Sequence, residues 1–231
     1  MSTPSLLPTN IRDETIDGIT YHIQGELVPA LIVEVRQGAI YFEHHVLLWK
    51  SPRLGVGLKK ISGAFKRMMA GMPIFITATN GQGQIALSRD GAGQIAAVHL
   101  QQGQSLEVRE HQFLAATENM AYDFTLVKGI SNMFFGNSGY FVDRFTSKSG
   151  TGVVWLHGYG NVFEINLQPD QQIDVEPGAW IYKDPTVRME TKIQRLTAGL
   201  LGAQGQLTVN RFSGPGRLGI QSMSIYMPAQ N

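Results

Sequence analysis

The chain repeats itself at an interval of 67 residues, and this limits the folds open to it. Leu106, Val108, Phe113 and Leu114 stand 67 residues before Ile173, Val175, Trp180 and Ile181, and 67 after Ala39, Tyr41, Val46 and Leu47. The same interval relates Leu31, Val98 and Ile165, and again Val33, Leu100 and Leu167. Late in each unit comes a Gly-x-Gly sequence: Gly81 and Gly83, Gly150 and Gly152, Gly214 and Gly216. The second and third follow matching triplets, Asp143, Arg144 and Phe145, then Asn210, Arg211 and Phe212. Apolar residues alternate with polar ones, most plainly at Phe163, Ile165 and Leu167, which is the period of a strand with one buried face. Val, Ile, Phe and Tyr dominate the apolar runs, and paired glycines suit tight reversals between strands. Open solenoids use shorter repeats, about 20–50 residues long. The expected fold is therefore all-β: three β-modules closed on one another into a pseudo-threefold body, with one or two short connecting helices. The units are placed at about 22–88, 89–155 and 156–222, one domain between an N-terminal arm (1–21) and a C-terminal tail (223–231).

A chain of 231 residues with 43% hydrophobic content can bury one sizeable core. It has no cysteine, so disulfides, thiolate zinc sites and thiol catalysis are excluded; this does not fix the compartment but fits a reducing cytoplasm, where the chain is placed. Residues 1–10 lack the basic start and apolar run of a signal peptide, and no run of about 18 apolar residues predicts a membrane-spanning helix. The first residues, with Pro4, Pro8, Asp13, Glu14 and Asp17, are expected to form a loosely held arm. A net charge of +1 gives no reason to expect nucleic acid. The charge is uneven, however. From His44 to Arg89 there is no Asp or Glu, while Lys50, Arg53, Lys59, Lys60, Lys66, Arg67 and Arg89 all fall there, so the first unit is locally basic.

Within that stretch Leu58, Ile61, Phe65, Met68 and Met69 recur at helical spacing, with Lys59, Lys60, Lys66 and Arg67 largely off the stripe. Residues 58–69 are therefore read as a short amphipathic helix. Its basic face is either merely solvated, the favoured reading because Gly57 and Gly63 weaken a free helix, or a contact for anionic lipid or a partner protein. Trp49, beside Lys50, has the strongest claim to an interface among the tryptophans, whereas Trp155 and Trp180 sit in core-like text. Gly55, Gly57 and Lys59 lack the spacing and the Lys-Ser/Thr pair of a phosphate loop. His44 and His45, adjacent on a predicted strand, would point to opposite faces and could not share a metal. His111, equivalent to His44 and Gly178, is the histidine singled out. No Gly-x-Ser-x-Gly elbow occurs, and Glu107, Glu110, Asp174 and Glu176 read as a solvated strand face rather than an acid–base pair. No catalytic residue, cofactor or metal ligand is assigned.

Gly71, Met72, Pro73 and Phe75, followed by Gly81, Gly83 and Ile85 and then by Phe113 and Leu114, resemble the altered-inheritance-of-mitochondria family of mitochondrial biogenesis proteins and their prokaryotic relatives. Arg211, Phe212, Gly214, Pro215, Gly216, Gln221 and Ser222 carry the resemblance to the end, so that it covers about residues 20–225. The family often has a Gly-Glu pair before its Phe-containing strand, and Met72 replaces the acid here. The resemblance implies a β-sandwich or double-stranded β-helix body, related to the tryptophan RNA-binding attenuator protein and built from three repeats. It implies no established enzyme activity. Mitochondrial members are associated with inner-membrane organisation and respiratory assembly, and this chain is placed with the prokaryotic branch. The expected function is a non-catalytic scaffold or binding protein that meets a protein partner or an anionic membrane surface through Lys59, Lys60, Lys66, Arg67 and Trp49. The alternative is a small-ligand or RNA-binding module, and a cupin-like metal enzyme ranks third. Exposed edge strands make a homo-oligomer expected.

Overall fold

The computed structural model describes residues 3–61, 75–127, 140–198 and 203–224. Strands β1 (Ser5–Leu6), β2 (Ile11–Ile16) and β3 (Ile19–Gln24) precede the first unit. That unit holds β4 (Ala30–Val35), β5 (Ile40–Phe42), β6 (Leu47–Lys50), β7 (Gly55–Lys60), β8 (Phe75–Asn80) and β9 (Gly83–Leu87). The second holds β10 (Gly93–Leu100), β11 (Ser105–Arg109), β12 (Phe113–Thr117), β13 (Met120–Val127), β14 (Tyr140–Ser147) and β15 (Gly152–Tyr159). The third holds β16 (Val162–Leu167), β17 (Gln172–Val175), β18 (Trp180–Lys183), β19 (Arg188–Ala198), β20 (Ala203–Ser213) and β21 (Gly216–Gln221).

The order of strand pairing recurs along the chain. In the first unit β4 and β6 flank β9, while β5 and β7 flank β8. In the second, β10 and β12 flank β15, while β11 and β13 flank β14. In the third, β16 and β18 flank β21, while β17 and β19 flank β20. Irregularities coincide too: the register shifts between Leu47 and Trp49, between Phe113 and Ala115, and between Trp180 and Tyr182. Neighbouring units are joined by two further antiparallel pairs, β5 with β12 and β11 with β18. A body closed through three such junctions would also pair β17 with β6, but among the described residues each of these two strands ends its own sheet.

Alternation places the core. Tyr21, Leu31, Val33 and Ile85 pack with Trp155 of the second unit, and Tyr21 meets Trp155 edge to face at 5.0 Å. Phe113 stacks on Phe145 at 4.7 Å in the second cluster, and Trp180 packs near Phe212 in the third. Trp155 and Trp180 are both fully buried. The Gly-x-Gly sequences at Gly81 and Gly83, Gly150 and Gly152, and Gly214 and Gly216 lie in or beside the turns β8–β9, β14–β15 and β20–β21. Gly216 shows what such a turn demands: its φ is +133°, and a Cβ there would stand 2.7 Å from Thr186 Oγ1.

Several local expectations change. Leu58, Lys59 and Lys60 are strand rather than the start of a helix, because the run from Gly55 pairs residue by residue with β8. A continuous ladder of backbone hydrogen bonds outweighs a short amphipathic stripe that is marginal as a free helix. Residues 62–69 of that stripe lie outside the described residues. Among the described residues the helical content is one 3-10 turn, His44–Val46, so the two histidines sit on a turn and not on a strand. The N-terminal arm is tied down. Ser5 and Leu6 pair with Glu164 and Phe163, Gln94 donates to the carbonyls of Leu7 and Pro8, and the boundary at residue 21 falls inside β3. His111 occupies the β11–β12 turn with a φ of +67°, a conformation that costs an L-residue about 1–2 kcal/mol. His111→Gly is expected to raise stability in urea unfolding by roughly 0.5 kcal/mol after the flexibility of glycine is offset. A loss of stability would show that the imidazole, 3.6 Å from Glu110, matters more than the backbone.

Candidate functional site

The first junction between units holds a basic, aromatic cleft. β5 brings Tyr41 to it, β7 brings Lys59 and Lys60, β13 brings Tyr122, and the turn after β14 brings Lys148, around a small cleft of about 80 Å³. Lys59 turns inward, its Nζ 5.4 Å from the centre of the Tyr41 ring and 3.4 Å from Glu118 Oε1. A cation over a ring face is held by the ring quadrupole, so Tyr41 fixes the lysine without neutralising it. Tyr41 is itself fixed, since its hydroxyl donates to the Met120 carbonyl at 3.3 Å and its ring lies parallel to that of Tyr122 at 6.4 Å. Period-two alternation sends the neighbours of Lys59 the other way. Leu58 is 76% exposed, Val56 41%, and Phe75, directly opposite Lys60, 46%. One face of this strand pair thus presents apolar side chains to solvent beside Lys60, while Lys59 lies on the other face, paired with Glu118. Such a surface suits an anionic group attached to apolar matter.

The sequence-selected residues separate in space. Lys59 and Lys60 line the cleft, Lys66 and Arg67 lie outside the described residues, and Trp49 sits on β6, exposed, where it does not line the cleft. The acid-free stretch is less basic than its composition. Arg89 is buried, donating to the Phe113 carbonyl at 2.9 Å and to Glu43 Oε2 at 3.0 Å, and Lys59 is paired with Glu118.

Glu107 is not a solvated residue. It is half-buried between units, with Lys183 Nζ 2.6 Å from Oε2 and Arg144 against Oε1. Burial pushes its pKa up, but hydrogen bonds from Lys183 and Arg144 outweigh this and hold the carboxyl below the usual range. One unit on, Asp174 takes a two-point contact from Arg211 at 2.7 and 2.8 Å. The sequence held a signal for both, since Glu107 and Asp174, like Arg144 and Arg211, are 67 residues apart. Among the described residues no group of three His, Asp or Glu side chains could hold a metal ion. No helix among them is long and apolar enough to cross a membrane.

Short strands paired in several antiparallel sheets define an all-β protein. The model of the mitochondrial biogenesis AIM24 family matches residues 21–223, and the chain belongs to that family. Its fold is similar to the crystal structure of SPYM3_0169 from Streptococcus pyogenes, with a TM-score of 0.64 and 23% identity over 89% of this chain and 94% of that one. No curated protein matches the chain.

Proposed function

We propose that this protein is a non-catalytic binding scaffold that docks on an anionic membrane surface through the β7/β8 hairpin, acting in the cytoplasm. The observation that carries this reading is Leu58, 76% exposed between Val56 and Lys60 on a strand whose opposite face is anchored at Tyr41. Burying a large apolar side chain contributes about 1.5–3 kcal/mol, and a lysine near an anionic surface about 1 kcal/mol. Together these are enough for reversible docking. Membership of a mitochondrial biogenesis family supports a scaffolding role.

Co-sedimentation with anionic vesicles at low salt should retain the protein, and high salt should release it. Lys60→Gln is expected to weaken retention by roughly fivefold, the equivalent of about 1 kcal/mol. Leu58→Asp should abolish it. Equal retention on neutral vesicles, or retention unchanged in the lysine variant, would contradict the proposal. The cationic and aromatic lining of the cleft also supports a second reading, a small anionic ligand held between Tyr41 and the lysines. In that case soluble phosphates or nucleotides would raise the melting temperature without any vesicle present.

A further inference from the structure

Two junctions inside the chain define a third whose halves are both present but unjoined. β5 pairs with β12 and β11 with β18, each time joining the second strand of one unit to the third strand of the next. By the same succession β17, the second strand of the last unit, calls for a third strand, and β6 of the first unit is the one left. Among the described residues both end their sheets. The counterparts of β6 are buried along their whole length, whereas in β6 Leu48 is 59% and Trp49 45% exposed. An apolar strand with an unpaired edge is a template for another strand.

The charged groups of the missing junction are in place. Where β11 meets β18, Glu107 faces Lys183, which also donates to the carbonyl of Val187, four residues on, at 2.8 Å. Lys50 holds the corresponding place in β6 and donates to the carbonyl of Leu54, again four residues on, at 2.9 Å. Asp174 holds the place of Glu107, opposite Arg211 as Glu107 is opposite Arg144. Among the described residues, however, no carboxylate pairs with Lys50. The register is taken from the β11–β18 junction, the one that carries the ion pair. Ala115 faces Phe42 and Ala116 faces Tyr41, while Tyr182 faces Val108 and Lys183 faces Glu107. Aligned on their bulges, Trp49 matches Ala115 and Tyr182, and Lys50 matches Ala116 and Lys183. The β11–β18 junction then sets Trp49 opposite Val175 and Lys50 opposite Asp174.

We propose that β6 of one copy pairs antiparallel with β17 of a second copy in this register, so that chains assemble head to tail. The contact is heterologous, with Lys50 and Asp174 forming between chains the ion pair that Lys183 and Glu107 form within one. Such a contact makes a ring if its rotation closes and a filament if it does not.

Because the chain has no cysteine, single thiols can be placed at will. Directly opposed strand residues have Cα atoms about 4.5–5.5 Å apart, within the range of about 4.4–6.8 Å that a disulfide spans. Mild oxidation of a mixture of Trp49→Cys and Val175→Cys proteins is expected to give a covalent dimer with one chain of each. Neither protein alone should give it, and Trp49→Cys mixed with the out-of-register Ile173→Cys should give far less. Light scattering of the unmodified protein should read a multiple of 25.4 kDa. A mass of 25.4 kDa at every concentration, with no mixed dimer, would overturn the proposal. So would a Trp49→Cys/Val175→Cys double variant that cross-links only within one chain, which would mean closure in cis. Dimers of Trp49→Cys alone would mean a symmetric β6–β6 contact and would overturn it equally.

Discussion

Unfolding free energy should fall by about 3 kcal/mol as the pH drops from about 7 to about 4, and one buried histidine accounts for the fall. His157 of β15 is 1% exposed. Its Nε2 stands 3.2 Å from the Gly91 carbonyl, which makes Nε2 the protonated nitrogen, and Nδ1 has no hydrogen-bond partner among the described residues. Burial pushes its pKa down and the neighbouring Arg89 guanidinium adds to this, while the Gly91 carbonyl and Asp90 oppose them, so that it falls to about 4. In the unfolded chain the imidazole titrates near 6.5. Between these values the unfolded state binds a proton that the folded state refuses, so stability rises with pH across that window. It is fully present above about pH 6.5 and is lost progressively toward pH 4. Urea unfolding at a series of pH values checks this. His157→Gln, which can keep a bond to the Gly91 carbonyl, should flatten the slope. The same slope in that variant would assign the loss to other groups.

Arg89→Ala should cost about 3–5 kcal/mol, the usual penalty for removing one member of a buried ion pair. The guanidinium reaches from the turn after β9 to the Phe113 carbonyl of β12 and to Glu43, so it ties the first unit to the second. Its side chain is 5% exposed and that of Glu43 27%, so the arginine is the more deeply desolvated member. Alanine leaves both the carbonyl and the carboxylate without this donor. Glu43→Gln should cost less, because an amide can still accept from the arginine. Removing Arg89 also takes away a positive charge that holds the pKa of His157 down, so the pH slope should shrink as well. A loss under about 1 kcal/mol would show that the contact is worth no more than a surface pair.

What the sequence revealed was local periodicity. Ile165 and Leu167 alternate with polar neighbours and are buried, and the glycine pairs stand at the turns where tight reversal requires them. Trp155 and Trp180 could be read as core because apolar text surrounds them on both sides. What it concealed depends on partners far along the chain. Leu58 fits a helical stripe and a strand equally well, and pairing with β8 decided the matter. Glu107 looks solvated until Lys183, on a strand of the next unit, is brought against it. Arg89 contributes to an apparently basic stretch, yet the fold buries it beside Glu43, one residue outside that stretch. The exposure of β6 is a further case. Its text is as apolar as that of β12, yet among the described residues β6 ends its sheet and is exposed, whereas β12 is paired on both edges and buried.

The docking surface itself can be interrogated with an environment-sensitive fluorophore on Leu58→Cys, since the chain offers no other thiol. A second protein carries the same probe on Asp170→Cys, in the exposed turn between β16 and β17. Anionic vesicles at low salt should shift the emission from position 58 to the blue and leave that from position 170 unchanged, with high salt reversing the shift. Equal shifts at both positions, or a silent probe at 58 while the protein still sediments with the vesicles, would contradict docking through the β7/β8 hairpin.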